Sequence, residues 1–160
     1  MDAHDPIDGR KAFEDAVRAA FAEASAAGWR ELYLCDPDFA QWPLGERAVI
    51  DSLTQWIGGQ RRLTLIALHY DEVVRRHSRW VGWRSRWAHV VDCRAAIELA
   101  ADDMPTLLLA PGALTLELAD RLRFLGRISR DATVALSARE RIDAILQRSV
   151  DSLPVTTLGL

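Results

Sequence analysis

Lysine is nearly missing from this sequence: of 20 basic residues, 19 are arginine and one is Lys11. That removes almost every candidate for amine chemistry, because a guanidinium stays protonated and cannot act as a base or form a Schiff base near neutral pH. Cysteine is as scarce. Cys35 and Cys93 stand alone, with no CxxC pair, so no zinc site or disulfide framework is written here and the reading is a reduced, cytoplasmic protein. No apolar run approaches the roughly 20 residues of a membrane span, and the first 30 residues carry no basic-then-apolar leader. No membrane partner is expected. A phosphate loop is absent, since no lysine follows Gly58-Gly59, and neither GxSxG nor HExxH occurs. Nothing in the chain calls for a cofactor or a metal.

What is present is a globular balance. The 160 residues are 49% hydrophobic and 27% charged, and a chain of this mass buries about 69% of its unfolded surface without a staple. The expectation is one domain over 1–160, with a loose N-terminus over 1–9 and an apolar tail over 153–160 that docks in cis or on a second chain. Asp8 is placed to cap a helix over 10–27, where Phe13, Val17, Phe21 and Ala24 keep helical spacing and Gly28 ends it. Strands are expected over 29–35, 62–69 and 94–99, and helices over 43–57 and 71–91. Pro111-Gly112 centres a four-residue turn, so 105–109 and 113–118 read as a hairpin with a type II turn. Residues 121–135 give no clear pattern, and Ser137 to Glu140 reads as a capping box opening a last helix to about Ser149. Helix–strand alternation followed by a hairpin predicts an α/β fold, a single mixed sheet with helices on both faces.

Charge is uneven. Residues 1–60 sum to −6, 61–100 to +4 and 101–160 to −1, for −3 overall. The basic middle centres on the expected helix over 71–91. At about 100° per residue, Val73, Trp80, Trp87 and Val91 share one face, flanked by Trp83 and Val90, while Arg75, Arg79, Arg86 and His89 oppose them. A packed tryptophan face with a solvated arginine face explains this pattern. An arginine ridge for phosphates or an acidic partner is the sharper alternative, although a net charge of −3 argues against nucleic acid. Arg84 falls on the apolar face. A buried arginine needs a counter-charge, so pairing with Asp36 or Glu98 is expected, with ligand binding as the alternative.

Ligands of open sheets sit beyond the carboxyl ends of parallel strands. Asp36 and Asp38 follow the first expected strand, and His69, Tyr70 and Asp71 follow the second. If those strands are neighbours, the residues share a rim able to support acid–base or metal chemistry. Turn and capping roles for the same aspartates are the plainer reading. Cys35 and Cys93 sit in or beside apolar strands, as inert buried thiols do.

Four segments, LYLCDPDF (32–39), RRHSRWVGWR (75–84), MPTLLLAPG (104–112) and the closing helix, resemble one half of the phospholipase-D-like fold. They are also similar to a proteobacterial domain of uncharacterised activity, found alone or behind acetyltransferase domains, in which a histidine near the start of the corresponding helix would match His77. In catalytic members a strand hairpin carries HxKxxxxD. The resembling stretch here places Met104, Thr106 and Pro111 at the His, Lys and Asp positions. The resemblance therefore implies a phospholipase-D-like half without phosphodiester transfer. The expected function is a non-catalytic binding or interaction module, and a lone half implies a homodimer. The alternatives are an enzyme using Asp36, Asp38 and His69, or a weak phosphate or nucleic-acid binder using Arg75, Arg79 and Arg86. His77, Arg84 and Tyr70 complete the set of candidate ligand contacts.

Overall fold

A computed structural model describes residues 4–153. Its framework is one eight-stranded sheet in the order β1-β7-β6-β5-β2-β3-β4-β8. These strands are β1 His4–Asp8, β2 Glu31–Cys35, β3 Arg62–Ala67, β4 Val91–Ala95, β5 Thr106–Ala110, β6 Leu114–Asp120, β7 Leu125–Ser129 and β8 Val150–Asp151. The helices are α1 Arg10–Ala27, α2 Arg47–Trp56, α3 Asp71–Arg76, α4 Ser78–Arg86 and α5 Ala132–Leu146. Strands β2, β3 and β4 run parallel, and every other pairing is antiparallel.

Alternation along the strands builds two cores. Leu32 and Leu34 of β2 and Leu108 of β5 face a large core with Phe13, Phe21, Trp56, Trp80 and Trp83 of α1, α2 and α4. Tyr33, Cys35, Leu107 and Leu109 face the other way and are covered by Ala138, Ile142 and Ile145 of α5. Helices thus lie on both faces, as a mixed sheet requires.

The hairpin closes as its sequence predicts: Gly112 has φ 76 and the Ala113 amide donates to the Ala110 carbonyl at 2.9 Å. Other expectations need correction. Residues 4–8, read as loose, form an edge strand against β7 that buries Ile7. Asp8 ends that strand, so α1 starts at Gly9 without a side-chain cap. The final helix begins at Asp131, whose carboxylate accepts the Thr133 amide, and runs through Ser137. The third parallel strand is Val91–Ala95, because Val91, Cys93 and Ala95 alternate into the core and Val91 pairs with Leu63. Leu153 packs on the large core. The rest of the expected tail, 154–160, lies outside the described residues.

The long helix over 71–91 is two helices. His77 has φ −122 and ψ 48 and breaks the run. Its Nε2 lies 2.8 Å from the Phe39 carbonyl, so the buried ring is drawn inward. Gly45 lies against it: a Cβ there would stand 3.1 Å from His77 Cα. Trp80 and Trp83 are buried as expected and Trp87 is half-buried, but the break puts Arg75 on α3 and Arg79 and Arg86 on α4, so the expected ridge does not lie on one continuous helix.

Candidate functional site

The β2 carboxyl end opens into the Asp36-Pro37-Asp38 turn, and β3 is its parallel neighbour, so the expected rim exists. The Leu68 amide donates to the Pro37 carbonyl at 2.9 Å and ties the two loops together. The rim residues have different fates. Tyr70 is buried and its hydroxyl donates to the Leu65 and Arg94 carbonyls, so it is a structural strut. Desolvation raises its pKa well above the usual value. His69 is exposed, with Nδ1 4.0 Å from an exposed Asp71 carboxylate. Asp38 accepts the Ala40 amide. Among the described residues no three His, Cys, Asp or Glu side chains gather into a metal-sized cluster.

Asp36 is the buried carboxylate of the rim, at 5% exposed. Its Oδ2 accepts the Phe39 amide at 2.8 Å and the Asp38 amide at 3.2 Å. Its Oδ1 accepts the Thr106 hydroxyl. Burial raises its pKa, opposed by these donors and by the nearby Trp42 indole. That indole Nε1 is buried without closing a hydrogen bond. Both carboxylate oxygens are therefore occupied in holding the 36–39 turn to the start of β5.

The same hydroxyl receives a second partner. Arg121 Nη1 donates to the Met104 carbonyl at 2.8 Å and to Thr106 Oγ1 at 3.2 Å, and Nη2 donates to the Ala101 carbonyl at 2.9 Å. This makes a chain from Arg121 through Thr106 to Asp36. Three of the five guanidinium N–H groups find neutral oxygens, and among the described residues Arg121 has no carboxylate within 4 Å. It stands between two clefts. The larger, about 780 Å³, includes Asp102, Asp103, Asp120 and Glu117, the last held by Arg141 at 2.7 Å. The smaller, about 420 Å³, presents Arg10 and Arg121 beside Phe13, Trp42 and Phe124. The Arg10 guanidinium lies 5.3 Å above the Phe124 ring and bonds Gln41. Neither cleft is lined by His, Lys, Cys, Ser or Tyr.

The remaining candidates lie elsewhere. His77 borders a shallower hollow with Gly45, Glu46 and Arg79. Burial lowers its pKa, so the ring is neutral and donates from Nε2 to Phe39. Arg75 and Arg76 both bond Glu72, and Arg79 donates to the Gly45 carbonyl. Arg86 and His89 are exposed. Arg84 is buried, as its face predicts, but pairs with neither Asp36 nor Glu98. It lies beside Cys93 at the amino ends of the parallel strands. Arg121 escaped the sequence reading because it falls in the stretch without pattern. Only the β5–β6 hairpin brings it back to Thr106.

No family model matches the chain, and no curated protein sequence does. Solved structures do match in fold. TrmBL2, an archaeal chromatin protein whose structure shows a novel mode of DNA binding, aligns with a TM-score of 0.66 at 12% identity, over 94% of this chain and 54% of that one. The present chain thus spans about half the length of TrmBL2. NucT from Helicobacter pylori aligns at 0.63 and 8% identity over 93% of this chain and 98% of NucT. Nuc from Salmonella typhimurium, a phospholipase D family member, aligns at 0.51 and 9% identity over 86% and 91%. The fold is phospholipase-D-like. A net charge of −3 does not set this fold apart from nucleic acid, since TrmBL2, which shares it, binds DNA. Among the described residues no helix is long and apolar enough to cross a membrane.

Proposed function

We propose that this chain is a non-catalytic, cytoplasmic binding module that holds a phosphate-bearing ligand in the smaller cleft and works as a homodimer. The observation that carries the reading is Arg121. A cation fixed by carbonyls beside Thr106, without a carboxylate, restores in space the positive charge that the resemblance places at the lysine position. Arg10 adds a second cation, stacked on the half-buried Phe124 ring, while Phe13 and Trp42 are buried in the wall behind it and Asp38 is the cleft's other charged edge. Two arginines on one cleft suit the phosphates of a nucleic-acid strand. DNA binding by TrmBL2 supports that choice of ligand.

Two side chains near the cleft support the non-catalytic reading. Met104, at the nucleophile position of the resemblance, is a buried thioether, and Asp36 has no free oxygen. The homodimer rests on the implied pairing of phospholipase-D-like halves, and cytoplasmic residence on two unpaired, buried cysteines. Calorimetric titration with a short single-stranded oligonucleotide tests the site: Arg121→Met should weaken binding by roughly tenfold or more, the worth of a charged hydrogen bond. Unchanged binding overturns the assignment. Hydrolysis of a phosphodiester that Asp36→Asn abolishes overturns the non-catalytic reading. Light scattering should give twice 17.9 kDa, and a monomer at high concentration overturns the dimer.

A further inference from the structure

We infer that the cavity beneath α4, at the amino ends of β3 and β4, is a second anion site, built on Arg84 and shaped for a carboxylate. It is independent of the Arg121 cleft, which lies at the carboxyl end of β2. Arg84 is 6% exposed, and its Nε has no hydrogen-bond partner. Among the described residues no carboxylate lies within 4 Å of it. Its guanidinium hydrogen-bonds the Cys93 thiol, which burial pushes up to about 12, so the sulfur stays protonated and is no counter-ion. A buried cation without a counter-charge is a costly feature that an anion removes.

The cavity measures about 350 Å³ and has Arg84 and Cys93 inside, Ala88 and Val91 as apolar wall, and Arg62 at its edge. Two carboxylates border it and neither answers Arg84. Alternation along β4 turns Cys93 toward α4 and sends Asp92 to the opposite face, with Arg94. Asp151 is held there by Arg94 at 2.5 Å. The guanidinium fork matches the two coplanar oxygens of a carboxylate. One buried cation balances a monoanion and leaves a phosphate dianion uncompensated. The apolar wall beside it fits a short aliphatic tail. The ligand class is therefore a small monocarboxylate.

The Arg84 Nε–H proton, shielded from solvent, is the reporter. Its ¹H–¹⁵N resonance is assigned by its loss in Arg84→Met. In the wild-type protein acetate should shift it saturably, with a Kd of order 1–10 mM, the range open to so small a ligand. Butyrate should bind at least about threefold tighter through its added methylenes. Chloride at equal ionic strength should leave the resonance in place. A missing saturable shift with both acetate and butyrate up to about 100 mM overturns the site. A shift by inorganic phosphate at lower concentration than acetate overturns the carboxylate assignment. Butyrate should also raise the melting temperature of wild type and not of Arg84→Met. If that variant does not fold, the wild-type titration still decides, with the resonance assigned through Arg84→Lys.

Discussion

Asp36 and His77 are both buried ionisable residues, and burial shifts their pKa values in opposite directions, up for Asp36 and down for His77. Asp36→Ala would strand the Phe39 amide and the Thr106 hydroxyl, a loss of about 2–3 kcal/mol at two buried donors. Asp36→Asn keeps an acceptor for the turn. Because the folded-state pKa of Asp36 is raised above 3.8, its carboxyl favours the folded state below that value. The contribution is lost as pH rises through the folded pKa. Urea midpoints of Asp36→Asn should therefore gain on wild type as pH rises from 3.5, and a constant difference would refute the desolvated carboxylate. His77 has its folded pKa lowered from 6.5. Its neutral ring favours the folded state above 6.5, and that contribution disappears as pH falls toward the folded pKa. Each tenfold drop in proton affinity is worth about 1.4 kcal/mol. Between pH 7.5 and 5, wild type should lose stability faster than His77→Asn, and the difference isolates this ring from His4, His69 and His89.

At the level of elements, the tightest fit in the sheet is Gly126 of β7. A Cβ there would lie 2.0 Å from the Glu117 carbonyl oxygen and 2.7 Å from Leu118 Cα. Both are backbone of β6, at the register shift between Leu118 and Asp120, and neither can yield without opening the ladder. Gly126→Ala should cost about 3 kcal/mol and lower the melting temperature by roughly 6–12 °C. Gly82, with open space around its Cα within α4, is the contrasting case: Gly82→Ala should gain about 0.5–1 kcal/mol. Calorimetry separates the two. Such contrasts show what was legible in the chain. The spacing of Phe13, Val17, Phe21 and Ala24 marked α1 because one face of it is wholly buried, and Pro111-Gly112 marked the hairpin because the turn demands that pair. Strand β7, LGRIS, fully buries only Ser129 and contains a glycine and an exposed arginine, so neither hydropathy nor propensity announces it. Strand β1 buries only Ile7. The break at His77 was hidden for another reason: the apolar period runs on through it, and what stops the helix is a contact with Phe39, 38 residues away. The candidate site divides in the same way. Asp36 was visible from its turn chemistry, whereas Arg121 depends on a fold-back that no local pattern encodes.

Across the whole molecule, a net charge of −3 confines any attraction for a polyanion to local groups. This makes the extent of contact measurable. The smaller cleft offers Arg10 and Arg121, and Arg123 lies on the same β6–β7 turn, only loosely held by Asp120 at 3.6 Å. Three phosphate contacts correspond to a slope of about −2 to −3 in log K against log salt, single strands lying at the shallower end. Arg121→Met should lower that slope by about one, since each phosphate contact contributes about one. The exposed arginines of α3 and α4 make a different forecast. If Arg75, Arg79 and Arg86 joined the cleft in one continuous track, the slope would approach about −5. Fluorescence anisotropy of a labelled oligonucleotide over a range of NaCl concentrations measures it. The geometry favours the shallow value: Arg75 is already bonded to Glu72 and Arg79 to the Gly45 carbonyl, so recruiting them means breaking contacts that the fold makes for itself. A steep slope that survives Arg121→Met would move the interface from the cleft to the helices.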